Sequence, residues 1–251
     1  LRYLNFVVDK FDLRRHMRFN SRVTAMSWDE DERIWHLDLE NGDTYTARFV
    51  ITGIGVLTIP TTPQYAGLSD FEGDAFHTYA WPKESIPLKG RRVGVMGTGA
   101  TGIQIISEIA DKVDELFVFQ RRPNWSTPLN NSPISDEEMA KIRARYDEIF
   151  ANCAVTSGGF DHLPEPRRFF KVAPEERKAL WDKLYDTPGF AIMASNFADI
   201  FFDEEANREM SEYVANRIRA RVTDPVLAEK LIPKDHGFAT QRLPLETHYF
   251  E

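Results

Sequence analysis

Between Arg91 and Gln120 the chain reads RRVGVMGTGATGIQIISEIADKVDELFVFQ. A short apolar run, a glycine turn, an amphipathic stretch and a second apolar run follow one another without a break. The order is strand, turn, helix, strand, and it constrains the fold more than any other segment. RRVGVMG predicts a buried strand, and Thr101–Asp111 a helix with Ile103, Ile106 and Ile109 on its apolar side. Glu115–Gln120 predicts the next strand, parallel to the first. The turn GTGATG, which is Gly97, Thr98, Gly99, Ala100, Thr101 and Gly102, satisfies G-x-G-x-x-G in the context that gives the pattern meaning. Gly97 permits the tight turn, Gly99 lets backbone N–H groups reach a pyrophosphate, and Gly102 lets the helix pack close to the sheet. The helix N-terminus adds its partial positive charge. The segment therefore predicts a dinucleotide site.

Which dinucleotide is read at the end of the second strand. An NAD site places an Asp or Glu there to accept hydrogen bonds from the ribose 2′-hydroxyl. Here the residues are Gln120-Arg121-Arg122, with no carboxylate at the strand end. Guanidinium groups suit a 2′-phosphate, so the expected cofactor is NADPH.

The flanking segments change period three times. LRYLNFVVDKFDLRRH at the start reads as an amphipathic helix with Tyr3, Leu4, Val7, Val8 and Phe11 at helical spacing. It lacks the order of a signal peptide, and with no initiator Met it is expected to begin inside a longer protein. Residues 22–51 predict a three-stranded antiparallel meander: Val23–Trp28, Ile34–Leu39 and Thr44–Ile51. Asn41-Gly42 supplies the left-handed residues of a tight hairpin. The acidic run Asp29-Glu30-Asp31-Glu32 reads as a solvated turn with no metal-site spacing around it, and the six histidines are scattered. After Pro123 the pattern turns helical. Ser135 and Glu138 form a capping box for a helix carrying Met139, Ile142, Tyr146 and Ile149. Pro174 opens a helix with Leu180, Trp181 and Leu184, Glu204–Arg221 is a third, and Asp224-Pro225 starts a fourth that Pro233 stops. Phe238–Leu245 reads as a returning strand.

The expected fold class is α/β: a Rossmann-type dinucleotide-binding domain with a helical insertion, preceded by residues 1–55, which the family resemblance given below implies are part of an FAD-binding domain. Residues 56–130 form the NADPH domain with a linker, 131–237 the insertion and 238–251 the return strand. Lys and Arg total 31 against 39 Asp and Glu, a net charge of −8, which argues against a nucleic-acid surface. No run approaches the roughly 18 apolar residues of a membrane helix. The single cysteine, Cys153, has no partner in the chain, which fits a reducing, cytoplasmic setting. Oligomeric state is not legible.

One motif goes further. FEGDAFHTYAWP fits F-x-G-x-x-x-H-x-x-x-W-P through Phe71, Gly73, His77, Trp81 and Pro82. This resembles the signature of type I Baeyer–Villiger monooxygenases, as do RYLNFVVDKFDLR, LFVFQRRPNW and RLPLETHYFE, so the resemblance runs over nearly the whole chain. The Trp-Pro ending is what separates it from flavin monooxygenases acting on nitrogen or sulfur. The resemblance implies an enzyme that uses FAD, NADPH and O2 to turn a ketone into an ester or lactone through a peroxyflavin. It implies that the motif is an interdomain linker, with His77 functional but not a proton-transfer group. It places Arg242 beside the flavin, where a fixed guanidinium holds the peroxide anion unprotonated. An ion pair between Arg242 and Glu246 or another carboxylate is the structural alternative. It sets Val56 and Leu57 near the nicotinamide, where relatives often carry Gln at the first position, and brings Gln104 toward the cofactor. Relatives usually have Lys where this chain has Gln241, and Arg122 is expected to compensate at the 2′-phosphate. The flavin needs a second G-x-G-x-x-G turn, which this chain does not contain. The chain thus resembles the middle of a protein about twice its length, and alone it is expected to hold no stable FAD. A module that only binds NADPH is a further alternative.

Overall fold

In a computed structural model, residues 1–251 divide into two compact units, Leu1–Tyr79 and Ala80–Glu251. The first contains helix α1 (Arg2–Lys10) and an antiparallel sheet β1 (Val23–Asp29), β2 (Ile34–Leu39) and β3 (Thr44–Ala47), in that spatial order. Trp28 lies opposite Trp35 with ring centroids 5.5 Å apart, a cross-strand aromatic pair that fixes the register. The hairpin at Asn41-Gly42 forms, but only Gly42 is left-handed, at φ 87°. Asn41 acts through its side chain, whose oxygen accepts from Asp43 N at 3.1 Å. The third strand is shorter than its sequence suggests. Ala47 pairs with Trp35, and β2 has one residue left before its own turn, so Phe49 and Ile51 have no ladder to join and are exposed. Helix α1 forms as expected yet buries none of its residues.

The second unit begins with β4 (Arg92–Met96), α2 (Ala100–Ile109) and β5 (Glu115–Phe119). The two strands are parallel, with Val93 opposite Leu116 and Met96 opposite Phe119. Ile103, Ile106 and Ile109 are the buried face of α2, as their spacing requires. The Rossmann-type reading of this segment holds. A two-residue strand β6 (Thr127–Pro128), absent from the sequence expectation, follows.

Helices α3 (Asp136–Ala144), α4 (Tyr146–Val155), α5 (Pro174–Asp186), α6 (Ala191–Ala194), α7 (Glu204–Arg221) and α8 (Pro225–Leu231) come next, then β7 (Leu245–Glu246). The capping box is present: Ser135 Oγ accepts from Glu138 N at 3.2 Å, and Glu138 accepts from Ser135 N at 2.9 Å. The helix it opens is interrupted, however. Arg145 leaves helical geometry at φ −107°, its N–H bonds Ile142 O, and its guanidinium holds Glu148 and Asp161, so α3 and α4 are separate. The expected return strand is also corrected. Phe238 is fully buried, its N–H bonds Ser211 Oγ and its carbonyl accepts from Asn207 Nδ2, so side chains of α7 satisfy the backbone that a ladder would have used. Only Leu245–Glu246 is extended, pairing with β6 in a sheet of its own rather than with β4–β5.

The core of this unit is the helical segment. Phe169 packs edge-on to Phe197 and stacks on Trp181, and Met210, Val214 and Ile218 close it from α7. One polar side chain organises its centre. Buried Asn196 accepts from Trp181 Nε1 at 3.0 Å and Phe197 N at 2.9 Å, and donates to Ile192 O at 2.9 Å. Each buried group left without a partner costs about 1–3 kcal/mol. Asn196→Ala is therefore expected to cost at least about 2 kcal/mol. Urea unfolding should show it as a lower midpoint with an unchanged slope; an unchanged midpoint contradicts it.

Candidate cofactor-binding site

The glycine turn joins β4 to α2 and is built as its sequence requires. Gly97 sits at φ 96°, where an L side chain is strained, and its N–H bonds Phe119 O at 2.9 Å, locking the turn to β5. A Cβ on Gly102 would come within 2.2 Å of Gly97 O, so only glycine allows the helix to start against the turn. A Cβ on Gly97 or Gly99 would meet nothing within 4 Å. That empty space lies at the uncapped N-terminus of a ten-residue helix, whose first N–H groups have no intrahelical acceptor. Such a cradle fits the pyrophosphate of a dinucleotide. Thr98 is buried and donates from Oγ1 to Arg122 O at 3.3 Å, tying the turn to the residues that follow β5.

Those residues run beside the segment from Lys230 to Arg242. Gln120 Nε2 donates to Lys230 O, Trp125 Nε1 to His236 O, and Asn124 Nδ2 to Arg242 O, each within 3.0 Å. Arg121 is exposed and makes no ion pair. Arg122 is not free: its Nη1 lies 3.2 Å from Asp235 Oδ2. The other Asp235 oxygen is 2.7 Å from Nδ1 of His236, whose side chain is only 8% exposed. The hydrogen bond from His236 outweighs the burial penalty and, with Arg122, holds the Asp235 carboxyl below the usual carboxylate range. Gln120-Arg121-Arg122 carries no carboxylate of its own, but Arg122 meets one from elsewhere in the chain. The acid comes from position 235, more than a hundred residues downstream, and no local motif could have revealed it.

Arg242 is exposed, and its guanidinium makes no ion pair. The proposed partner Glu246 is taken instead by Arg221, at 2.5 Å, so that alternative is removed. Gln241 is exposed beside it. Gln104 and Trp81 line one shallow depression on α2 with Ile105, Glu108 and Ile109. Val56 and Leu57 lie in an irregular, exposed stretch. Within the F-x-G motif, the ring of Phe71 covers Gly73, where a Cβ would come within 2.6 Å of it. His77 Nδ1 accepts from Tyr79 N at 3.1 Å, a local turn bond rather than a reach toward any site. The division between the two compact units falls inside this motif, after Tyr79.

One histidine is less isolated than it looks in sequence. The β1–β2 hairpin gathers His36, Asp29 and Glu32 so that their ligand atoms lie within 4.8 Å of one another. Asp29 Oδ1 is already engaged by the N–H groups of Asp31 and Glu32, and the group is open to solvent.

Residues 1–152 match the sequence model of the family described as L-lysine 6-monooxygenase/L-ornithine 5-monooxygenase. The chain belongs to this family. Two curated relatives narrow it. The 2-oxo-Δ3-4,5,5-trimethylcyclopentenylacetyl-CoA monooxygenase of Pseudomonas putida is 44% identical over 100% of this chain and 47% of its own length. The methyl acetate-forming acetone monooxygenase of Gordonia sp. (strain TY-5) is 42% identical over the same shares. Among solved structures, OTEMO in complex with FAD and NADP superposes with a TM-score of 0.94 at 44% identity, covering 99% of this chain and 48% of that one. These relatives are Baeyer–Villiger monooxygenases, as the resemblance in the sequence implied. The chain spans about half the length of the curated relatives it matches. None of its helices is long and apolar enough to cross a membrane.

Proposed function

We propose that this chain is the NADPH-binding part of a cytoplasmic, FAD-dependent Baeyer–Villiger monooxygenase that uses O2 to convert a ketone to an ester or lactone. The observation that carries the reading is identity of 42–44% along the entire chain to monooxygenases of that kind. Residues 1–55 are assigned to an FAD-binding domain, 56–130 to the nicotinamide domain and its linker, 131–237 to the insertion, and 238–251 to the segment returning to the site.

FAD and NADPH would supply the oxygen activation and the hydride. The chain supplies their environment. Backbone N–H groups of Gly97–Gly102, with the side chains of Thr98 and Thr101 nearby, would hold the pyrophosphate, while Arg121 and Arg122 would take the 2′-phosphate beside Gln241. Gln104, Val56 and Leu57 would flank the cofactor. Arg242 would stabilise the oxyanion as charge develops on substrate, a role suited to a permanently charged group without a competing carboxylate. Phe71, Gly73, His77, Trp81 and Pro82 would couple the two units as a linker.

The test is product analysis with the protein as its gene encodes it, supplied with FAD, NADPH and 18O2. A cyclic ketone should yield a lactone carrying one labelled atom. Arg242→Ala should reduce that rate by about 10²–10³. NADP+ affinity should change little. A rate within threefold of wild type removes Arg242 from the chemistry. The description of the matched family favours a second reading, oxygenation at nitrogen. Turnover of a primary amine or a thioether in preference to the ketone would establish a heteroatom oxygenase instead. Nucleotide binding without any oxygenation would leave a binding module.

A further inference from the structure

The pairing at the end of β5 carries an inference about nucleotide choice, resting on the reading of Arg121 and Arg122 as the 2′-phosphate site. A strand-end carboxylate is the acceptor for the ribose 2′-hydroxyl of NAD, and a strand-end guanidinium is the donor for the 2′-phosphate of NADP. This chain has both at one place. Arg122 Nη1 and Asp235 Oδ2 are 3.2 Å apart, each side chain about half exposed. Asp235 is not a drifting surface acid. Its second oxygen is held by His236 Nδ1 at 2.7 Å, the imidazole is buried, and the His236 carbonyl is fixed by Trp125 Nε1 at 3.0 Å. The carboxylate is positioned from behind, while the arginine is the longer and more adaptable partner.

We infer that Asp235 is a specificity-determining residue: it occupies Arg122, and so weakens the chain's preference for 2′-phosphorylated nucleotides. A phosphate approaching Arg122 meets a guanidinium with one N–H already committed and a fixed negative charge beside it. Arg121 is left as the unpaired cation at the strand end. Gln241 adds no charge to offset the carboxylate. When Arg122 is removed, Asp235 is left without its cation, and a carboxylate there would repel the phosphate and could accept from the 2′-hydroxyl.

The experiment is calorimetric titration of the chain with 2′,5′-ADP and with 5′-AMP, reading the ratio of their affinities, so that neither flavin nor turnover enters. The wild-type ratio should favour 2′,5′-ADP. Asp235→Asn, a near-isosteric change at a half-exposed side chain, should raise the ratio about three- to tenfold. Arg122→Ala should lower it by about tenfold or more, and Arg122→Ala with Asp235→Asn should recover part of that loss. A fall in the ratio on Asp235→Asn would make Asp235 a strut that positions Arg122, and an unchanged ratio would make it irrelevant; either result overturns the inference. A wild-type ratio near one, unmoved by Arg121→Ala, overturns the 2′-phosphate site itself and is distinguishable from both. Thermal unfolding of each variant separates loss of fold from loss of discrimination.

Discussion

Glu246→Ala should destabilise the second compact unit by about 2–4 kcal/mol, because the mostly buried Arg221 loses its buried carboxylate and keeps only the half-exposed Glu251. The Glu246 side chain is completely buried, and Arg221 Nη1 approaches it at 2.5 Å from the last turn of α7. Glu246 also accepts from Tyr249 N at 3.0 Å, so its removal orphans a backbone donor as well. Burial works against the Arg221 charge, but hydrogen bonds with Glu246 and Tyr185 outweigh it and hold the guanidinium firmly protonated. Glu251, 3.2 Å from Arg221 and half exposed, is the natural contrast. Glu251→Ala should cost no more than about 1 kcal/mol, because water replaces an exposed carboxylate. Replacing both members of the buried pair, Arg221→Met with Glu246→Leu, should return much of the loss. Urea unfolding followed by the fluorescence of Trp125 and Trp181 reads all three. Equal effects at positions 246 and 251 would sink the account.

The same pair explains why Arg242 is available. Glu246 lies four residues downstream, and an ion pair between the two is the simplest guess from sequence. The fold instead extends Leu245–Glu246 against Thr127–Pro128 and delivers the carboxylate to the end of α7. The chain segment bearing Arg242 is pinned on one side by Glu246 and on the other by Asn124 bonding its carbonyl. The guanidinium itself stays unpaired.

Legibility followed the range of the interactions. Helix α7 was legible from its apolar spacing and the start of α3 from a capping box of four letters, because those interactions close within a turn or two. The glycine turn was equally local. What escaped were partnerships across long separations: Asp235 with Arg122, Arg221 with Glu246, and Asn207 satisfying the backbone of Phe238. Phe238–Leu245 shows the limit well. Its apolar residues cluster at both ends around Thr240-Gln241-Arg242, and Phe238 is buried by a turn whose polar groups are met by α7 side chains. His36 joins Asp29 and Glu32 only through the register of a hairpin. Periodicity reports which side chains are buried, not which partners the backbone finds.

Two alanine substitutions in the glycine turn should separate structure from binding, although they lie three residues apart. A Cβ on Gly99 meets nothing within 4 Å, so Gly99→Ala should leave the unfolding transition where it is. The methyl would stand in the space that the pyrophosphate must enter to reach the N–H groups of α2. Hydrogen bonds to charged groups contribute about 1.5–3 kcal/mol each, so displacing one should weaken NADP+ binding roughly 10- to 150-fold. At Gly102 the obstruction is inside the protein. The Cβ would lie 2.2 Å from Gly97 O, and that carbonyl belongs to a backbone already held by the bond from Gly97 N to Phe119 O. The turn must open or the helix must lift, so Gly102→Ala should lower the unfolding temperature and abolish NADP+ binding together. Calorimetric titration with NADP+, paired with thermal unfolding of each variant, decides the matter. If Gly99→Ala binds NADP+ as wild type does, the pyrophosphate does not sit in that cradle. If Gly102→Ala keeps its stability, close approach of helix and turn is not what that glycine provides.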